Sequence, residues 1–182
     1  MNVDGVVEVA AWTVQGLRDV GFTGFVPFAR LPEVEVPADP GVYVIVRDAS
    51  DPPLFLESSV AGWFKRKDPS VEKARLTDAW VPAAVVLYVG KASGGSTGAR
   101  GLRKRLDEYR RHGAGQPVGH WGGRYIWQLA NVEELLVAWL PTLHSDPEDI
   151  EATLLTQFAD QYGRRPFANR KMGRAASRIV DR

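Results

Sequence analysis

Two short runs constrain this chain more than anything else in it. Gly41-Val42-Tyr43-Val44-Ile45-Val46 and Ala83-Ala84-Val85-Val86-Leu87-Tyr88-Val89-Gly90 are apolar almost throughout and rich in β-branched and aromatic residues. Runs of this length without alternation read as strands covered on both faces. A third run, Leu135 to Leu140, reads as a strand, and Arg124 to Ala130 is expected to be another, with Trp127 in the core. The chain must therefore supply layers for both sides of a sheet.

Helices are legible between the strands. Ala99 to His112 places Leu102, Arg105, Leu106 and Tyr109 on one face, with Arg103, Lys104, Arg110 and Arg111 on the others. An arginine in an apolar stripe is unusual, because burying its charge is costly without a partner. Asp146 and Pro147 form an N-cap and first-turn pair that opens a helix running to Tyr162, with Gly163 as its stop. Glu151 lies on the edge of that helix's apolar face, so its carboxylate is partly buried or faces a cleft.

The flanking regions are less regular. Thr13 is expected to cap a short helix ending near Val20, and Phe22 to Leu31 reads as an aromatic packing arm. Residues 51–83 read as an insertion, with short helices at Val60–Phe64 and Val71–Leu76 around an exposed turn, Lys65-Arg66-Lys67. The glycine loop at 94–98 lacks the following Gly-Lys-Ser/Thr of a phosphate-binding loop and reads as a connector. His112, His120 and His144 show no ligand spacing; Trp121-Gly122-Gly123 is expected to be a tight turn with a buried indole.

Composition narrows the function. Cysteine is absent, which excludes disulfides and thiolate metal sites. No apolar stretch is long enough for a membrane span, and no signal-like N-terminus is seen, so a cytoplasmic setting is the expectation. The net charge of +1 conceals an asymmetry: residues 1–60 carry three Arg against nine Asp or Glu, and residues 61–182 carry 20 Lys or Arg against 13. Charge segregated this way can attract a polyanion; each basic cluster alone reads better as a solvated helix face, and the three clusters with the basic C-terminus make the two readings about even.

Five ordered elements carry a resemblance. Gly41-Val42-Tyr43 and Tyr88-Val89-Gly90 resemble the paired tripeptides of the GIY-YIG nucleases, each with Val in place of Ile. Lys91-Ala92, then Leu102-Arg103-Lys104-Arg105-Leu106 and Tyr109, is similar to the excision-repair branch of that family. Glu151 and Asn169 match its metal-binding glutamate and closing asparagine. The resemblance covers about residues 38–171, with 1–37 as an N-terminal helix and arm and 172–182 as a basic tail. The sequence departs from the family where 44 residues separate Tyr43 from Tyr88.

These elements and the resemblance give an expected α/β (α+β) fold, a small, mostly antiparallel central sheet flanked by helices. The resemblance implies a Mg²⁺- or Mn²⁺-dependent endonuclease acting on DNA, with RNA also compatible. Glu151 would hold the metal and Arg105 would fork onto phosphate oxygens. Tyr43, Tyr88, Lys91, Tyr109 and Asn169 would complete the site. Which tyrosine serves as base is left open; Lys91 and Arg105 are expected to favour a phenolate. Arg103, Lys104, Arg110, Arg111, Arg164, Arg165, Arg170 and Lys171 are the candidate phosphate contacts. The alternatives are a non-catalytic nucleic-acid-binding module on the same scaffold and a restriction-type enzyme; monomer and homodimer are both open.

Overall fold

The structure, a computed structural model, describes residues 7–95 and 100–170. Lys171, the basic tail at 172–182 and residues 96–99 of the glycine loop lie outside the described residues. Four strands, β1 (Thr23–Pro27), β2 (Gly41–Val46), β3 (Val86–Ala92) and β4 (Leu136–Pro141), form one sheet in the order β1-β4-β2-β3. Every pairing is antiparallel. All six residues of β2 are buried, as a run without alternation requires of a central strand.

The two faces of the sheet are covered differently. One carries Val42, Val44, Val46, Val86, Val89 and Ala138 and packs against Leu154, Leu155 and Phe158 of α4 (Pro147–Tyr162). The other carries Tyr43, Ile45, Tyr88, Val137 and Trp139 and packs against Leu102, Leu106 and Tyr109 of α3 (Leu102–Gly113). A bulge adjusts the second face: Ile45 pairs with Tyr88 but Val46 pairs with Val86, so Leu87 is the extra residue. Leu87 and Tyr88 consequently both pack in the aromatic layer.

Helix ends follow local chemistry. Thr13 accepts from the Gly16 N–H at 3.0 Å and starts α1 (Val14–Asp19). Asp146 accepts from the Glu148 N–H at 2.8 Å, and Gly163, at φ 70°, stops α4. The outer edge of β3 is closed by the segment that follows α4. Ala168 N–H donates to Leu87 O at 2.8 Å. The Asn169 amide accepts from Val89 N–H at 2.9 Å and donates to Val89 O at 2.8 Å, occupying both groups as a neighbouring strand would.

Three expectations are corrected. The Phe22–Leu31 arm contains an edge strand, β1, paired to β4. A bulge between Gly24 and Val26, with Phe25 at φ 56°, removes the alternation that would have marked it. Arg124–Gln128 is a 3-10 turn rather than a strand. Its Gln128 side chain instead pairs with the insertion, accepting from Val71 N–H at 2.8 Å and donating to Val71 O at 2.7 Å. Within the insertion no helix forms at Val60–Phe64. The remaining helix, α2, runs Lys73–Ala79, later than expected because the Val71 backbone is committed to Gln128.

A candidate active site at the sheet edge

The site is built around edge strand β3. Tyr43 on β2 lies opposite Gly90 on β3, and a Cβ at Gly90 would fall 2.4 Å from Tyr43 Cζ. Glycine is what lets the Tyr43 ring lie across the strand. The rings of Tyr43, Tyr88 and Tyr109 then form a near-regular triangle, with centroids 6.0, 6.2 and 5.9 Å apart. Gly122 and Gly123 bring a loop backbone against this cluster: the Tyr109 hydroxyl donates to Gly123 O at 2.8 Å. With φ at 73°, Gly123 has no room for a side chain, since a Cβ there would lie 2.5 Å from Tyr109 Oη.

His120 completes the cluster, and sequence reasoning missed it. Its ring stacks on Tyr109 at 3.9 Å and 7°, and its Nε2 lies 3.3 Å from Tyr43 Oη. Burial, with Arg105 and His112 adding to it, holds its pKa well below the usual range, so the imidazole is neutral. A lone histidine in a glycine-rich loop carries no periodicity, so no sequence signal pointed to it.

The expected phenolate is not favoured. Burial raises the Tyr43 pKa, and the opposing pull of Arg105 and of the Tyr88 hydroxyl does not overcome it. Tyr88 and Tyr109 are pushed well above the ordinary value by burial, with neighbouring phenols adding to the shift. Arg105 keeps its charge: burial opposes it, but the two phenols and Glu108 outweigh that opposition. Its contact with Glu108, at 3.5 Å, is long.

Lys91 points to the other side of β3 and meets α4. Its ammonium is 3.0 Å from Glu151 and 3.1 Å from Glu148. Burial works against the lysine's charge, but the two carboxylates more than offset it and raise its pKa. Glu151 also moves up, because burial together with Glu148 outweighs Lys91. The ion pair therefore does not hold Glu151 in the low range of a well-solvated salt bridge. Glu148, half-buried beside it, is a second carboxylate that the sequence alone did not single out.

A cleft of about 550 Å³ opens here, lined by Tyr88, Lys91, Trp121, Glu151, Asn169 and Arg170 among others. Trp121 therefore faces the cleft rather than the core, with the Arg124 guanidinium 5.0 Å from its ring centre. Asn169 lines the cleft, but its amide is fully engaged by Val89. It fixes β3 and makes no hydrogen bond to the Glu151 helix.

The candidate phosphate contacts divide. Arg170 lines the cleft over Tyr125, and Lys104 is exposed. Arg103 is tied to Val36 O at 2.8 Å and Arg164 to Asp78 O at 2.7 Å. Arg110 pairs with Asp107 at 2.7 Å, Arg111 with Gln116 at 2.7 Å, and Arg165 is half-buried. Arg124, absent from the expected set, joins Arg170 at the cleft wall.

Comparison of the chain with models of known families, with curated proteins and with solved structures finds no match to any of them.

Proposed function

We propose that this protein is a metal-dependent phosphodiester hydrolase of the GIY-YIG type, acting on nucleic acid. The observation that carries the reading is the meeting of Tyr88, Lys91 and Glu151 at one cleft, with Tyr43 and Tyr109 packed on Tyr88 and the Arg105 charge acting on Tyr43 and Tyr88. These groups come from β2, β3, α3 and α4, and a chance gathering in the order that the resemblance expects is hard to account for by packing alone.

The donor set fits a hard divalent cation of the Mg²⁺ kind. Among the described residues there is no group of three or more His, Cys, Asp or Glu that could enclose a metal. Mg²⁺ accepts one or two carboxylates and fills its other positions with water and phosphate oxygens. Glu151 would hold it, with Glu148 beside it; the ion would supply charge at phosphorus and at the leaving oxygen.

The chain's own groups divide the remaining work. Arg105, charged, stabilises negative charge that grows on the non-bridging oxygens. Lys91 holds both carboxylates in place. In hydrolysis a water oxygen bonds to phosphorus, the bond from phosphorus to the leaving oxygen breaks, and the water's proton must be taken up. Tyr88 lines the cleft and the fully buried Tyr43 lies behind it; both are held as phenols. The proton can therefore enter at Tyr88 only as Tyr88 passes its own to Tyr43 and Tyr43 passes its own on. His120, neutral and 3.3 Å away, is the group placed to receive it.

The test is incubation of supercoiled plasmid with Mg²⁺ or Mn²⁺, wild type beside Glu151→Gln. Nicking or linearisation by the wild type that is lost in the variant is expected. Cleavage by the variant at the wild-type rate sinks the reading. A wild type that binds DNA in a salt-sensitive way and never cuts it favours the non-catalytic module instead.

A further inference from the structure

Nothing in the cleft accounts for the hairpin at residues 62–68. Phe64 N–H donates to Lys67 O at 3.3 Å and Lys67 N–H to Phe64 O at 3.0 Å, leaving Lys65 and Arg66 as a two-residue loop. Both have positive φ, 51° and 61°. That is the I′ kind of turn, for which Asn-Gly is the preferred pair. A side chain in this left-handed region costs about 1–2 kcal/mol per residue. A loop needed only to reverse the chain would not place two long cations there.

The surroundings of these cations point outward. Lys65, Arg66 and Lys67 are all exposed, and among the described residues none of them is in an ion pair. Lys65 lies over the Phe64 ring at 5.5 Å, and the Asp68 carboxylate turns away to accept from Ser70 N–H at 2.8 Å. Trp63, immediately before them, is 59% exposed, among the most exposed large apolar side chains described.

The root of the hairpin, by contrast, is fixed. Gly62 N–H donates to His112 O at 2.8 Å, and a Cβ at Gly119 would lie 3.1 Å from Phe64 Cζ. Gly119 is the residue before His120, which touches Tyr43. The hairpin thus stands on the loop that carries the imidazole of the site.

We infer that residues 62–68 are a substrate-binding finger for nucleic acid that carries an unpaired nucleotide. Lys65, Arg66 and Lys67 contact phosphates, and Trp63 stacks on the unpaired base. Three unpaired cations select a polyanion. A bare indole beside them selects one with free π-faces, which stacked duplex bases do not offer. The inference rests on the nucleic-acid substrate of the proposed function, but not on its cleavage chemistry.

The experiment is fluorescence anisotropy on the full chain in EDTA, with a labelled single-stranded DNA and its blunt duplex as probes. Lys65→Asn combined with Arg66→Gly restores a favoured turn while removing two charges. It should weaken both probes about tenfold and lower the single-strand salt slope by about 1.4, with an unchanged or higher melting temperature. Trp63→Ala should weaken the single strand about tenfold and leave the duplex within about twofold. Unchanged affinity in the double variant overturns the finger, and an equal loss on both probes in Trp63→Ala overturns the stacking. A wild type that nicks plasmid while these variants bind normally loses the finger and keeps the nuclease. A wild type that binds through the hairpin and never cuts keeps the finger and loses the nuclease.

Discussion

The two faces of the sheet are equally buried and do different things. Under α4 the sheet's own side chains are aliphatic: Val42, Val44, Val46, Val89 and Ala138 meet Leu154, Leu155 and Phe158. The face under α3 is aromatic, and its rings carry hydroxyls, an indole N–H and an imidazole that must be placed. Aliphatic packing depends on distance but has little angular preference, because dispersion has no fixed direction. The aromatic face is directional where its polar atoms are paired, at Tyr109 Oη with Gly123 O and Tyr43 Oη with His120 Nε2, while Trp127 Nε1 and His120 Nδ1 are buried without a partner among the described residues. Edge strand β3 joins the two, with Tyr88 on the aromatic side and Lys91 reaching α4. The α4 face should therefore set stability and hold the carboxylates, while the α3 face should set the chemistry.

Several substitutions would break or sharpen that division. Glu151→Gln should have the largest effect, a loss of about 10³-fold in cleavage rate. Its unfolding in urea should stay close to that of the wild type, since burial already disfavours the charged carboxylate. Leu154→Ala, on the aliphatic side, should do the reverse. It should lower stability by about 2–5 kcal/mol in urea, while activity per folded molecule is retained. Loss of activity in the folded Leu154→Ala protein would show that the two faces are not separable.

Asn169→Ala acts on the strand between them. It leaves Val89 N–H and C=O unpaired, and should lower stability by about 2 kcal/mol. Hydrogen exchange at Val89 should accelerate while the middle of α4 stays protected. If α4 exchanges equally fast, the strand edge and the helix open as one unit.

The smallest effect is that of pH. His112 and His120 are both depressed by burial. A depressed histidine contributes stability that is fully present above its unfolded value, about 6.5, and is lost as pH falls through its folded one. Glu151 runs the other way: its raised pKa makes the fold more stable as pH falls toward the ordinary carboxylate value. On the Glu151→Gln background, melting temperature should therefore fall from pH 7 to pH 5, and less so when His120→Gln is added. A flat profile in both would show that the aromatic face does not resist protonation.

Much of the aliphatic face was legible in the sequence, and less of the aromatic one. Unbroken apolar runs announced β2 and β3, and Asp146-Pro147 with Gly163 bracketed α4, because propensity and packing agree there. The order Tyr43, Tyr88, Arg105, Glu151 pointed to residues that do converge. β1 was not legible because Gly24 and Phe25 take positive φ and interrupt its period. Arg124–Gln128 misled because it is apolar enough for a strand, yet Gln128 spends its side chain, not its backbone, on the sheet-like contact with Val71. His120 and Glu148 depend on contacts far away in the chain, His120 on one 77 residues distant, which no local pattern can encode.

The clasp of Ala168 and Asn169 on β3 closes one of the sheet's two edges to further strands. A strand with free amides and carbonyls on its outer side is a template for another chain, and β3 is apolar along nearly its whole length. The side-chain amide of Asn169 fills two of those positions without extending the sheet, so the growth point is occupied by a group that offers no further edge. Cleaving the chain before residue 167 would uncover it. The strand that lends Tyr88 and Lys91 to the cleft would then become a seam along which molecules add to one another.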